Sequence, residues 1–218
     1  MVKVAKKRSA PLYGLVLAGG KSARMKRDKA ALKYHGKGQA VAAYELLSQF
    51  CEKVFVSARE QQHIKNSFPK IFDKKKFSGI GPSGGILSAM TQYPKVAWLV
   101  LACDLPFVNG KTLKHLIRYR NSKKTATAYI SRHDGLPEPL CAVYEPSARP
   151  IQLKFLKKGI SCPRKILINS NLRLLTLKDK RSLDNVNTPK EYKQAVALLS
   201  CQGNFGGRVT RRVRTREK

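Results

Sequence analysis

The chain has 218 residues, 42% of them hydrophobic, and sets 44 lysines and arginines against 13 acids for a formal net charge of +31. This composition excludes a disordered chain, and without an apolar stretch of about 20 residues it predicts no membrane-spanning helix. The length suits one domain with a sizeable core, and a basic N-terminus lacking an apolar region of signal-peptide length predicts a cytoplasmic protein.

The elements alternate along the chain. An apolar run at 13–17 predicts a buried strand that ends in Gly19-Gly20. Helical spacing of Val41, Tyr44 and Leu47 predicts a helix over 40–50, and β-branched residues predict a strand over 53–57. A short helix over 85–92 stops before Pro94, and the continuous apolar run 96–103 has the character of a central parallel strand. An amphipathic helix over 111–120, strands over 125–131 and 139–144, a helix over 146–156 and a late strand over 172–177 follow. Thr188-Pro189 opens a last helix, with threonine as cap and proline in the first turn, running to about residue 200. The alternation predicts an α/β fold of three layers, a Rossmann-like, mostly parallel sheet with right-handed crossovers. Residues 1–10 read as a basic extension, 11–202 as a single domain, and 203–218 as a basic tail too polar to bury a core. The two ends carry +4 and +5, so +22 remains in the body. Such a field attracts anionic substrates and gives weak, salt-sensitive association with polyanions. Five scattered cysteines with no C-x-x-C spacing argue against a disulfide framework or a structural zinc site, and Cys103 and Cys51, in apolar segments, read as small hydrophobes.

The chemistry collects where strands end. Leu17-Ala18-Gly19-Gly20 leads into a loop holding Lys21, Ser22, Arg24 and Lys29. Paired glycines let backbone N–H groups approach an anion closely, and Arg24 and Lys29 add positive charge for phosphates. This is not a Walker A loop, because Leu15 stands where that motif needs glycine. The formal G-x-G-x-x-G at 79–84 follows a polar stretch rather than a strand, so it is not a dinucleotide fingerprint. Asp104 ends the central strand, on the same sheet edge as Gly19-Gly20, where ligands of open α/β sheets bind. A carboxylate placed there can hold a divalent cation against phosphates, or serve as a turn residue. By themselves Asn185 and Asn187 read as capping or turn residues, and Asp73 as a solvated turn residue. The four histidines show no spacing suited to a metal or a catalytic triad, and Ser131, His133 and Asp134 read as loop residues.

The motif LAGGKSARM at 17–25 with DK at 28–29 resembles the signature of the molybdenum cofactor guanylyltransferases, within the nucleotide-diphospho-sugar transferase superfamily. GPSGGI at 81–86, WLVLACDLP at 98–106, EPL at 138–140 and DNVNTP at 184–189 follow in the same order, covering roughly residues 12 to 200. The resemblance implies a nucleotidyltransferase that moves GMP from GTP to molybdopterin and releases pyrophosphate. It implies magnesium as cofactor, with Asp104 and Asn187 as ligands and Asn185 beside them. It implies nucleotide binding by Leu17, Ala18, Gly19, Gly20, Ser22, Lys29, Asp73 and Asp104, with Asp73 accepting from the guanine N–H donors. Catalysis would rest on Arg24, Lys29 and Asp104, and contacts with other proteins of cofactor biosynthesis would follow. Three positions depart from the family pattern: Lys26 replaces a glycine, Arg59 stands in Ser57-Ala58-Arg59 where an asparagine often contacts nucleotide, and Glu138 replaces a glutamine. Two other readings use the same residues. A cytidylyltransferase or sugar-phosphate nucleotidyltransferase would share the fold, since fold does not fix substrate. The charge alone would suit a nucleic-acid-binding protein, though aromatic and zinc-finger signatures are absent.

Overall fold

The computed structural model describes residues 9–18, 38–58, 68–179, 181–186 and 188–203. Apolar, β-branched segments supply the sheet. They are Leu12–Leu17 (β1), Lys53–Ala58 (β2), Lys70–Phe72 (β3), Ala97–Ala102 (β4), Ala126–Ile130 (β5), Pro137–Tyr144 (β6) and Leu172–Leu175 (β7). Between them lie Gln39–Ser48 (α1), Pro82–Gln92 (α2), Gly110–Arg118 (α3), Ala148–Lys157 (α4) and Pro163–Ile168 (α5), with Pro189–Gly203 (α6) last.

The sheet order is β3-β2-β1-β4-β6-β5-β7. All neighbours pair in parallel except at β6, which is antiparallel to both β4 and β5. The sheet is mostly parallel, as the alternation predicts, and β6 is the strand that runs against it because residues 131–136 join it directly to β5. A parallel return needs a crossover of about a dozen residues or more. Helix α1 packs on β1, β2 and β4, α2 packs on β1, β2 and β3, and α3 packs on β5 and β6. Strand β4 lies at the centre, buried along its length. Trp98 is fully enclosed there and meets Tyr13, Phe55 and Tyr93 edge-on or tilted. Among the described residues no helix is long and apolar enough to cross a membrane.

Several short elements are not anticipated by the sequence pattern. Strand β3 has three residues, a 3-10 turn over Lys75–Phe77 follows it, and α5 has six residues. Each is too short to display a period. The last helix begins as its sequence predicts, and more firmly. Thr188 Oγ1 accepts from the Glu191 N–H at 3.2 Å, and Glu191 Oε2 accepts from the Thr188 N–H at 3.0 Å. This is a reciprocal capping box. Cys103 and Cys141 are buried, and burial pushes the Cys141 thiol up to about 12, which suits an inert core residue.

Helix α2 starts three residues earlier than its apolar periodicity indicates. Gly81 adopts φ 67° and Pro82 occupies the first turn, a position where its missing N–H costs nothing. Gly84 then passes so close to the 3-10 turn that a Cβ on it would lie 2.5 Å from the Phe77 carbonyl oxygen and 3.3 Å from Asp73 Oδ2. Backbone cannot yield as a side chain can. Gly84→Ala should therefore destabilise the fold by about 2 kcal/mol despite alanine's better helix propensity. For a domain of this size the melting temperature should fall by roughly 4–8 °C, and an unchanged Tm would refute the close approach.

Candidate active site

Register places the sequence-predicted residues that lie at described strand ends in one row. Phe72 pairs with Ala58, Ser57 with Leu17, and Leu17 with Ala102. One or two residues further on, Asp73, Ala18 and Asp104 stand at the carboxyl edges of β3, β1 and β4. Asp73 and Asp104 are three strand spacings apart, about 14 Å at roughly 4.8 Å per strand. Leu17 and Ala18 are buried, and the Cys103 N–H donates to the Leu17 carbonyl oxygen at 3.2 Å, which ties the β1 and β4 ends together.

Asp104 is half-buried in the turn after β4. Its carbonyl oxygen accepts from the Val186 N–H at 3.0 Å, so a segment 82 residues away in sequence is laid across the same edge. Val186 is buried against Ala195, Leu199 and Phe107, while Asn185 before it is exposed. The structure thus brings Asn185 to the Asp104 end of the sheet.

Asp73 is also half-buried. Its N–H donates to the Ala58 carbonyl oxygen at 3.2 Å, and Ser57 Oγ donates to Asp73 Oδ1 at 3.5 Å. The carboxylate lies over Gly84 in the first turn of α2, where the helix dipole favours negative charge. Lys74 is anchored beside it, its N–H donating to the buried Ser88 Oγ at 2.9 Å. On the α1 side of Asp104, a cavity of about 370 Å³ is lined by Gln39, Ala43, Leu101, Leu105 and Asn109 among others.

Residues 14–170 match the family model described as MobA-like NTP transferase domain. The chain belongs to that family. It is 39% identical over 188 residues to the molybdenum cofactor biosynthesis bifunctional protein of Synechocystis sp., an alignment covering 84% of this chain and 53% of that protein. The chain therefore spans about half the length of that relative. It is 29% identical over 191 residues to the probable molybdenum cofactor guanylyltransferase of Clostridium perfringens, covering 83% of this chain and 94% of that one. The crystal structure of molybdopterin-guanine dinucleotide biosynthesis protein A from Archaeoglobus fulgidus superposes with a TM-score of 0.73 at 27% identity, over 87% of this chain and 99% of that chain. The α/β fold of the nucleotide-diphospho-sugar transferase type is thereby established for this member of the family.

Gly19, Gly20, Ser22, Arg24, Lys29 and Lys26 of the glycine loop, together with Arg59 and Asn187, lie outside the described residues, as do the basic ends 1–8 and 204–218. The family member's other distinguishing features are ion pairs that its sequence does not announce. Glu138, the departure from glutamine, is the second residue of β6 and receives Arg164 Nη2 at 2.9 Å, while Arg164 Nη1 reaches Asp134 Oδ2 at 2.8 Å. Asp134 is held below the usual carboxylate range by the Leu136 N–H and the Ser131 hydroxyl, with Arg164 and His133 adding to the effect. At the same edge Arg132 grips Asp184. No periodic signal could reveal these partners, which lie 26 to 52 residues apart.

Proposed function

We propose that this chain is a molybdenum cofactor guanylyltransferase, moving GMP from GTP to molybdopterin and releasing pyrophosphate, in the cytoplasm. The observation that carries the reading is the order of groups along one sheet edge. An acceptor carboxylate stands on β3, the strand end before the glycine loop on β1, and a carboxylate on β4. That order matches base, then phosphates, then reacting centre. The names of the relatives support the same assignment. In the proposal residues 11–202 form the transferase domain, and the basic ends add only nonspecific affinity for polyanions.

The acceptor's terminal phosphate is already an anionic nucleophile. Its oxygen attacks the α-phosphorus of GTP in line, the bond from that phosphorus to the bridging β-phosphate oxygen breaks, and pyrophosphate leaves with the electron pair. The residues therefore have to align the reactants and neutralise charge. Gly19 and Gly20 offer backbone N–H groups to the triphosphate, with Leu17 and Ala18 fixing where they start and Ser22 adding a hydroxyl. Arg24 and Lys29 balance the negative charge, and Arg59, which follows Ala58 in sequence, takes the position where the family often has an asparagine that contacts nucleotide. Asp73 accepts from the N1–H and exocyclic NH₂ of guanine, donors that adenine does not offer on that edge.

Asp104 fits a magnesium ion. Among the described residues no three histidine, cysteine, aspartate or glutamate side chains gather into a protein-only cage, and magnesium does not require one, since it usually takes one or two carboxylates with water and phosphate oxygens. Asn187, with Asn185 beside it, would supply further oxygen ligands. When bound, the ion would withdraw charge from the α-phosphate and the leaving pyrophosphate.

A cytidylyltransferase on this fold is the competing assignment, and Asp73 separates the two. With magnesium present, GTP should bind more tightly than ATP, CTP or UTP. Asp73→Ala should weaken GTP by about tenfold, near 1.4 kcal/mol, while leaving ATP within twofold. Preferential binding of CTP by the wild type would overturn the guanylyl assignment.

A further inference from the structure

Two parts of the catalytic edge that the backbone leaves separate are joined by one ion pair. Arg132 is the second residue of the loop between β5 and β6. Its Nε donates to Asp184 Oδ1 at 3.1 Å and its Nη2 to Asp184 Oδ2 at 2.9 Å, a two-pronged grip. His133 Nε2 lies 3.5 Å from the same carboxylate and Arg181 Nε 4.0 Å from it. The side chains are 41% and 21% exposed, so the pair adds at most about 1 kcal/mol to folding. What it fixes is position. Two residues beyond Asp184, the Val186 N–H is bonded to Asp104 and its side chain is buried. Asn185 is held between these two fixed points. On the far side of the same loop, Arg164 binds Asp134 and Glu138, so the anchor for Arg132 is itself restrained.

We infer that Arg132 is a positioning residue for the transfer. Through Asp184 it sets segment 184–186, and Asn185 with it, against Asp104. Its fork is filled by Asp184, so it acts through that carboxylate and not on the substrate directly. The inference rests on the guanylyl-transfer reading for its catalytic consequence, and on geometry alone for its structural one.

The test compares wild type with Arg132→Ala, Asp184→Ala, the double variant and Arg132→Lys. Pyrophosphate release from GTP in the presence of molybdopterin and magnesium gives kcat and KM, and hydrogen exchange at the Val186 amide reads the segment itself. Each single alanine variant should lower kcat about ten- to a hundredfold, the range expected when a reacting geometry shifts by about an ångström. KM for GTP and Tm should stay near wild type. The double variant should lose no more than the worse single one, because both remove the same interaction. Arg132→Lys keeps the charge but loses the fork, and should fall between. The Val186 amide should exchange faster in Arg132→Ala while amides of β4 do not change. Wild-type kcat in Arg132→Ala, unchanged exchange at Val186, or multiplicative losses in the double variant would each overturn the inference. A wild-type protein that releases no pyrophosphate from GTP would instead overturn the guanylyl-transfer reading, and Val186 exchange would still decide the structural claim.

Discussion

Asp104→Ala should lower guanylyl transfer by about a thousandfold, roughly 4 kcal/mol of transition-state stabilisation. The size follows from what the position does. Asp104 supplies the carboxylate at the end of β4, the only acidic side chain in the motif run 98–106. On the proposed reading, losing it would remove both a ligand for the cation and the alignment of the phosphates it would hold. The fold should survive the change. Asp104 is half-buried in a turn, and its contact to Val186 runs through the backbone carbonyl, which alanine keeps. Tm should therefore move by no more than about 2–4 °C, equivalent to roughly 1 kcal/mol. Asp104→Asn, nearly identical in shape, should lose activity to a similar degree. Transfer within tenfold of wild type in both variants would show that the carboxylate does not serve the reaction.

The largest stability effect is expected at the opposite end of the sheet, far from the chemistry. Glu145, at the end of β6, is 1% exposed, and Arg120, after α3, is 10% exposed. Arg120 Nε donates to Glu145 Oε1 at 2.6 Å, and Nη2 donates to Oε2 and to the Ala10 carbonyl oxygen, both at 2.9 Å. One guanidinium thus ties α3, the β6 end and the chain leading into β1. Arg120→Ala would strand a carboxylate away from water, which costs about 3–5 kcal/mol when a buried pair loses one partner. Tm should drop by roughly 10 °C or more. Replacing both residues with leucine should recover much of that loss, because the desolvation of two charges disappears with the charges. If Arg120→Ala melted with wild type, the pair would be solvated in solution. Activity measured well below the melting range should stay near wild type, which separates this variant from Asp104→Ala.

How much of this could be read from residues alone depends on the range of the signal. Strands β1 and β4 are unbroken apolar runs and α3 is strongly amphipathic, and their bounds, with those of α1, fall within one or two residues of the sequence expectation. The Asp104 placement follows from the same signal, since an apolar run of central-strand character has to end at the edge where ligands bind. Direction was harder to read. Strand β6 has the composition of a buried strand in either orientation, and only the short loop 131–136 decides that it runs backwards. Glu138 reads in sequence only as a departure from glutamine, and its ion pair with Arg164 shows what the acid does. Arg120 with Glu145 and Arg132 with Asp184 are invisible for the same reason. Each side chain is an ordinary charge in a strongly basic chain, and pairing depends on distant backbone being folded first. Gly84 stands between these cases. Its motif is legible, but the motif's meaning is not a dinucleotide site: the glycine allows α2 to pass the Phe77 carbonyl and bring Asp73 into line.

The most direct measurement is pyrophosphate release from GTP, ATP, CTP and UTP, each with magnesium, with and without molybdopterin. Release from GTP is expected only when molybdopterin is present, with the other nucleotides slower by at least about tenfold. Faster release from CTP, or release from GTP that ignores molybdopterin, would contradict the guanylyl-transfer reading.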